Sequence, residues 1–187
     1  MQIYLIRHTS PDIEKGICYG QADIPINELL FKEEFDLIKS KIPVIPQAFY
    51  SSPLKRCLRL AEEFSPVAAQ DTRLKELHFG DWELKSWKAI PTNALQVWMD
   101  DFVNQAVPQG ENYRTLFNRT DSFLRDLLQQ PLESAGLVTH AGNMRSIISW
   151  ALDLPLENSF RITLPYGAVV HLEIHENKQL NKLNFIK

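Results

Sequence analysis

Two histidines stand directly after apolar runs, at the point where a strand would end. His8 follows Ile3–Ile6 and Arg7, and His140 follows Gly136–Thr139. A neutral imidazole has a free ring nitrogen that can attack a phosphoryl group or accept a proton. An arginine directly beside such a histidine favours an anionic substrate. These residues therefore indicate phosphoryl chemistry, with His8 as the nucleophile.

Phosphoryl transfer also needs positive charge around the equatorial oxygens of the phosphate. Arg7 and Arg56 can supply it, because a planar guanidinium can bond two oxygens at once, and His140 can add a further donor. Arg56 comes soon after a predicted strand at Gln47–Tyr50. If these strands are neighbours in one parallel sheet, their carboxyl ends share a rim and the charged side chains converge there.

The leaving group needs a proton, which a carboxyl group can provide. From the carboxyl groups within Leu74–Glu83 we select Glu76 as this proton donor. His171 and His175 are spaced as a metal pair could be, but no third ligand is evident, so we interpret them as exposed strand histidines. We expect neither a metal nor a cofactor.

The hydrophobic pattern alternates short strands with helices and predicts a three-layer α/β/α sandwich with a mostly parallel central sheet. A helix from Asn27 to about Lys41 would bury Leu30, Phe31, Phe35 and Ile38. A second helix would begin with Ser52 as N-cap and Pro53 at its first position. Further strands are predicted at 67–70, 136–139, 162–164, 168–174 and 180–186, and further helices at 113–130 and 142–152.

Length and composition describe an ordinary globular chain. Its 187 residues are expected to form a single domain, 1–187, with a cap segment within about 71–111 that is rich in aromatic residues. The net charge of −3 argues against a nucleic-acid binder. No signal peptide or membrane span is evident, and two cysteines do not make a disulfide framework, so we expect a cytoplasmic protein.

Five segments, in order along nearly the whole chain, are together similar to the motifs of the histidine phosphatase (phosphoglycerate mutase-like) superfamily. They are Leu5–Thr9, Ser51–Cys57, Leu74–Glu83, Pro108–Glu111 and Val138–Gly142. The resemblance implies a phosphohistidine on His8, with Glu76 acting first as acid and then as base for water, and no metal. Thr9 and Leu84 stand where the family usually has glycine.

The loop Gly16–Ile26 resembles that of bacterial α-ribazole phosphatases, which implies α-ribazole 5′-phosphate as substrate and a place in cobalamin biosynthesis. A sugar or metabolite phosphatase, a phosphohistidine-protein phosphatase and an inactive phosphate-binding regulatory module remain alternatives. The expected partner is a small phosphorylated metabolite, not nucleic acid or membrane. Its expected contacts beyond the catalytic set are Thr9, Tyr19, Gly20, Glu111 and Ala141.

Overall fold

Six strands form one mixed sheet in the computed structural model, which describes residues 1–186. The strands are β1 (Gln2–Arg7), β2 (Ala48–Ser51), β3 (Ala69–Gln70), β4 (Ser134–Thr139), β5 (Val169–Glu173) and β6 (Lys182–Ile186). Their order is β3-β2-β4-β1-β5-β6. The β1–β4, β2–β4 and β2–β3 pairs are parallel, whereas β5 is antiparallel to both β1 and β6. The predicted sheet, parallel over most of its strands, is confirmed.

Helices cover both faces of this sheet. The α-helices are α1 (Glu28–Ser40), α2 (Lys55–Phe64), α3 (Thr92–Asp100), α4 (Tyr113–Leu128) and α5 (Ala141–Leu152). Short 3-10 helices lie at Thr72–Leu74, Gly80–Trp82, Trp87–Ala89, Leu156–Arg161 and Lys178–Leu180. None of the helices within residues 1–186 is long and apolar enough to cross a membrane.

The central strand β1 shows why the layers form. Successive side chains of a strand point to opposite faces, so Ile3 and Leu5 pack among α4 and α5, whereas Tyr4 and Ile6 pack among α1 and α2. Because both faces of β1 are apolar, each must be covered by helices. The predicted three-layer α/β/α arrangement is therefore confirmed, and His8 follows the strand at its centre.

Residues 71–111 form the segment predicted as a cap. It contains three short 3-10 helices and α3, and its apolar side chains join Cys18 and the start of α4 in a third hydrophobic cluster. The buried members from this segment are Leu77, Trp82, Ile90, Trp98 and Val107. Its function as a cap, and the single-domain organisation of 1–187, stay predictions.

Three local predictions differ from the structure. Leu30 is 44% exposed, because it lies one residue, or about 100° of helix rotation, away from the buried stripe of Phe31, Phe35 and Ile38. The second helix begins at Lys55 with Leu54 at the N-cap position, so Ser52 does not cap it. No strand forms at 162–164, although this apolar run follows the pattern of one.

Candidate active site

His8 lies at the carboxyl end of β1, where its side chain is 2% exposed. Its Nδ1 lies 2.7 Å from the carbonyl oxygen of Thr9. Because a carbonyl can only accept, this contact assigns the ring proton to Nδ1 and leaves a lone pair on Nε2. The backbone beside His8 therefore selects the tautomer that a nucleophilic Nε2 requires.

Burial and charge both keep His8 neutral. Burial lowers the pKa of His8 well below its usual 6.5, and the guanidiniums of Arg56 and Arg7 lower it further. The contact with Thr9 has the opposite but smaller effect. At neutral pH the ring is consequently uncharged, and it sits in a positively charged environment suited to a phosphate.

Arg56 is fully buried in the first turn of α2, with neither an ion pair nor solvent to compensate its charge within the described residues. Its Nη1 donates to the carbonyl of Ala22 over 2.9 Å and its Nη2 donates to the carbonyl of Gly20. Gly20 must be a glycine here, since a Cβ would lie 1.9 Å from the carbonyl oxygen of Leu77. The loop thus passes close to the site and orients Arg56.

Arg7 donates from Nη1 to the carbonyl of Leu164. Three buried donor atoms on residues around His8 have no hydrogen-bond partner in the described part of the chain. They are Nε of Arg7, Nε of Arg56 and Oγ1 of Thr9. An unsatisfied buried donor costs about 1–3 kcal/mol. Oxygens of a bound phosphoryl group are acceptors that would satisfy such donors.

His140 follows β4 and is fully buried at the N-cap position of α5. Its ring centroid lies 5.1 Å from that of His8. Its Nε2 lies 2.9 Å from Oγ of Ser52 and 3.4 Å from Sγ of Cys57. Burial lowers the pKa of His140 well below 6.5, and Arg56 and His8 contribute to the same effect. Ser52 is thus a partner of His140 and not a helix cap.

Glu76 is held at the N-terminus of α5 by two backbone donors. The amide of Leu77 donates to Oε1 over 2.9 Å, and the amide of Gly142 donates to Oε2 over 3.0 Å. A Cβ at position 142 would lie 2.2 Å from Oε1 of Glu76, so only glycine permits this approach. Ala141, 7% exposed, lies between His140 and Gly142, so the imidazole and the amide that binds the Glu76 carboxylate belong to the same first turn of α5.

Arg119, which the sequence analysis missed, fixes the backbone that carries Glu76. It donates to the carbonyl of Glu76 over 2.8 Å and to those of Arg73 and Lys75 over 2.7 Å each. Its guanidinium also binds the carboxylate of Glu111 at 3.1 Å, and that carboxylate accepts from the amide of His78. The contacts of Glu111 are thus supporting ones, and its role in substrate binding stays a prediction.

Two tyrosines connect opposite sides of the site through their hydroxyl groups, which are hydrogen-bonded to each other. We call Tyr19 and Tyr166 the tyrosine bridge. The guanidinium carbon of Arg56 lies 5.3 Å from the ring of Tyr19, and that of Arg7 lies 4.0 Å from the ring of Tyr166. Tyr166 was not predicted, but it lies just before β5, whose antiparallel start shares a rim with the end of β1.

The histidines considered as a metal pair lie elsewhere. His171 stacks on Tyr4 at 4.8 Å between ring centroids, and its Nε2 lies 2.6 Å from Oε1 of Gln2. His175 is exposed. Within residues 1–186, no group of three or more His, Cys, Asp or Glu side chains is placed so that it could hold a metal ion.

A family profile described as the histidine phosphatase superfamily (branch 1) matches residues 3–185. The chain is 27% identical over 198 residues to a candidate phosphoserine phosphatase of Hydrogenobacter thermophilus, covering 97% of this chain and 96% of that protein. It is also 27% identical over 174 residues to a glucosyl-3-phosphoglycerate phosphatase of Mycolicibacterium vanbaalenii, covering 84% and 76%.

The fold is shared with solved structures of similar size. The α-ribazole phosphatase of Shigella flexneri superimposes with a TM-score of 0.87 and 20% identity, covering all of this chain (100%) and 96% of that one. At this identity the likeness shows the fold alone.

Proposed function

The chain belongs to the histidine phosphatase superfamily, and we propose that it hydrolyses a small-molecule phosphate monoester through a phosphohistidine on His8. The observation that carries this proposal is the surrounding of His8: a buried neutral imidazole with a free Nε2, beside unsatisfied donors on Arg7, Arg56 and Thr9. A nucleophile and the donors for a dianion are thus assembled together.

In the first step Nε2 of His8 attacks phosphorus, and the bond to the leaving oxygen breaks. Arg7, Arg56 and His140 neutralise the charge on the equatorial oxygens. Glu76 gives a proton to the leaving oxygen, so the product departs as an alcohol. A water molecule, losing its proton to Glu76, then attacks the phosphohistidine and releases inorganic phosphate, which restores both residues.

His8→Ala is expected to abolish phosphate release, because no other side chain in this mechanism attacks phosphorus. Inorganic phosphate should still bind in part, since the arginines remain, and calorimetric titration would measure this. His175→Ala, which removes an exposed histidine, is the matched control. Enzyme that is quenched rapidly during turnover, without acid, should show a phosphate adduct on the His8 peptide by mass spectrometry. Release by His8→Ala at the wild-type rate would contradict the mechanism.

The substrate is proposed at two levels. The class is a small phosphorylated metabolite, and within it the loop Gly16–Ile26 favours α-ribazole 5′-phosphate in cobalamin biosynthesis. Carboxylated esters are the second candidate, because the relatives at 27% identity include enzymes named for phosphoserine and glucosyl-3-phosphoglycerate. A cytoplasmic location and a metal-free reaction belong to the same proposal.

Steady-state phosphate release with EDTA present tests both levels. The panel contains α-ribazole 5′-phosphate, O-phosphoserine, sugar phosphates, nucleotides and a phosphohistidine peptide. A strong preference for one ester identifies the substrate, and comparable rates on many indicate a broad metabolite phosphatase. No release from any of them, with phosphate binding intact, would instead support a phosphate-binding regulatory module. Activity that EDTA removes and added metal restores would contradict the metal-free reaction.

A further inference from the structure

Arg145 is a half-buried arginine on α5, one turn after Gly142, that the mechanism above does not use. Its Nε donates to the carbonyl of Ile162 over 3.0 Å, and its guanidinium carbon lies 5.1 Å from the ring of Phe160. These contacts fix the plane of the guanidinium. Nη1 and Nη2 donate no hydrogen bond within residues 1–186 and are not among the fully buried polar atoms, so both remain accessible to a ligand.

Arg145 and Arg7 donate hydrogen bonds to carbonyls of the same short segment, residues 162–164. Arg145 binds the carbonyl of Ile162, and Arg7 binds that of Leu164, two residues further on. Ile162 has extended dihedral angles, and Leu164 precedes a proline, which also favours an extended backbone. Two residues of extended chain span roughly 7 Å. The two guanidiniums are therefore anchored at points that one small substrate could bridge.

The charge of Arg145 has no counter-ion in the described part of the chain: no carboxylate lies within 4.0 Å of it. Burial lowers the pKa of the Arg145 guanidinium, and the charge of Glu76 opposes part of that shift. Because Arg145 is half-buried, its charge is only partly solvated. A ligand anion at Nη1 and Nη2 would offset the lost solvation.

The position of Arg145 decides which part of the substrate it would meet. The phosphoryl group already has Arg7, Arg56 and His140 around His8. Arg145 shares α5 with Gly142, which holds the proton donor Glu76, and the leaving group departs toward that donor. A guanidinium whose Nε is occupied still offers two parallel N–H groups, which suit the two oxygens of a carboxylate.

Resting on the phosphatase function proposed above, we infer that Arg145 binds a carboxylate on the leaving group, so that the preferred substrates are small phosphate esters of hydroxy acids. Arg145 thus moves the carboxylated esters, the second candidate above, ahead of α-ribazole 5′-phosphate, which the loop resemblance favours but whose leaving group carries no carboxylate. Arg145 is then a specificity-determining residue, and its effect should be confined to substrates that bear the anion.

Two pairs of esters that differ at the carboxylate provide the test. O-phosphoserine is compared with O-phosphoethanolamine, and 3-phosphoglycerate with glycerol 3-phosphate. In the wild type, kcat/KM should be higher for the carboxylated member of each pair by about tenfold or more, the value of one charge-assisted hydrogen bond. Arg145→Gln should remove that preference while changing kcat/KM for the uncarboxylated esters by less than about twofold.

Arg145→Lys provides a second variant that keeps the charge but loses the paired N–H groups, so it should retain only part of the preference. Arg125→Gln, which removes an exposed arginine from α4, is the matched control and should leave both ratios unchanged. Equal turnover of both members of each pair, or an equal loss on both in Arg145→Gln, would overturn this inference alone. No release from these esters or from p-nitrophenyl phosphate would overturn the proposed function as well.

Discussion

At the scale of single residues, the site depends on keeping two imidazoles uncharged beside two guanidiniums. His8 and His140 are buried, and the pKa of each is lowered by that burial and by Arg56 and Arg7. A bound phosphate dianion reverses the local sign of the charge and would allow His140 to take up a proton. The protein's own charges thus favour the neutral form of His8, which the proposed mechanism requires, and the substrate itself brings the negative charge.

The pH dependence of activity should report the lowered pKa of His8. Protonation of His8 removes the attacking lone pair, and the lowered pKa means that protonation occurs only well below pH 6.5. The acidic limb of a kcat/KM profile is therefore expected below pH 6.5. Arg56→Gln removes one of the charges that lower this pKa, so the limb should move to higher pH, whatever the loss in rate.

Arg59→Gln is the control for this shift, since Arg59 lies on the same helix three residues later but pairs with Glu63 and Glu28. Its acidic limb should coincide with that of the wild type. NMR titration of the His8 ring would measure the same change independently of turnover. An acidic limb at or above pH 6.5 in the wild type would argue against a buried neutral nucleophile.

At the scale of elements, the turn after Trp82-Glu83 shows how a non-glycine residue is tolerated. Leu84 has a φ of 63°, in the left-handed region, and its amide donates to the carbonyl of Cys18 over 2.7 Å. The motif that this segment resembles usually has glycine here, and Leu84 adopts a conformation that glycine reaches without strain. Glu83 next to it accepts hydrogen bonds from the amides of Gln21 and Ala22, so the turn anchors the loop Gly16–Ile26.

Leu84→Gly is expected to stabilise the protein by about 0.5–1 kcal/mol, because the side chain is 61% exposed and its strain exceeds the entropy that glycine adds. Urea denaturation measures the free energy of unfolding. Leu37→Gly, at an exposed position inside α1, should instead destabilise by about 1 kcal/mol. Destabilisation in both variants would show that the left-handed turn is not strained.

The elements that could be predicted from sequence are those whose pattern is local. β1, β2 and β4 are short apolar runs bounded by turns, and parallel pairing then brings Arg7, His8 and His140 to one rim. The run Ile162–Leu164 has the pattern of a strand, yet side chains of Arg145 and Arg7 occupy two of its carbonyls in place of a neighbouring strand. Whether arginine side chains or a neighbouring strand bind these carbonyls depends on tertiary contacts, and the local sequence carries no signal for them.

The same limit explains which site residues were missed. Arg119 and Tyr166 lie on α4 and before β5, and only packing brings these segments to Glu76 and Arg7. Ser52 carried a helix-cap pattern, but His140 is its partner. Glu111 belongs to a motif, yet Arg119, eight residues later on α4, binds its carboxylate. Motifs supply candidate residues, and long-range contacts decide what each one touches.

At the scale of the whole molecule, the two neutral histidines link stability to pH. The unfolded chain binds protons on His8 and His140 near pH 6.5, whereas the folded chain does so only at lower pH. The unfolded state therefore binds more protons below pH 6.5, and the free energy of unfolding falls as pH falls. Asp71 and Asp121, whose pKa values are lowered from 3.8, contribute only in more acidic solution.

Between pH 7.5 and 5.5 the free energy of unfolding is expected to decrease by up to about 1.4 kcal/mol per pH unit for each histidine once pH is below 6.5. Urea denaturation at several pH values measures the slope. His140→Gln should flatten it, while His175→Gln, at an exposed position, should keep the wild-type slope. A stability that is constant over this range would mean that both rings are protonated as readily in the folded state as in the unfolded chain.

The central position of β1 also determines when activity can arise during synthesis. Gln2 pairs with Ser134 on one side and with Glu173 on the other, so the strand that leads to His8 emerges from the ribosome long before either neighbour. Contacts between residues so far apart in sequence form late, because the intervening chain must first be synthesised and then lose conformational entropy when the loop closes. Nascent chains that stop before β4 should thus carry the proposed nucleophile in an unpaired, chaperone-accessible strand and be catalytically silent, however much of α1, α2 and α4 has already formed.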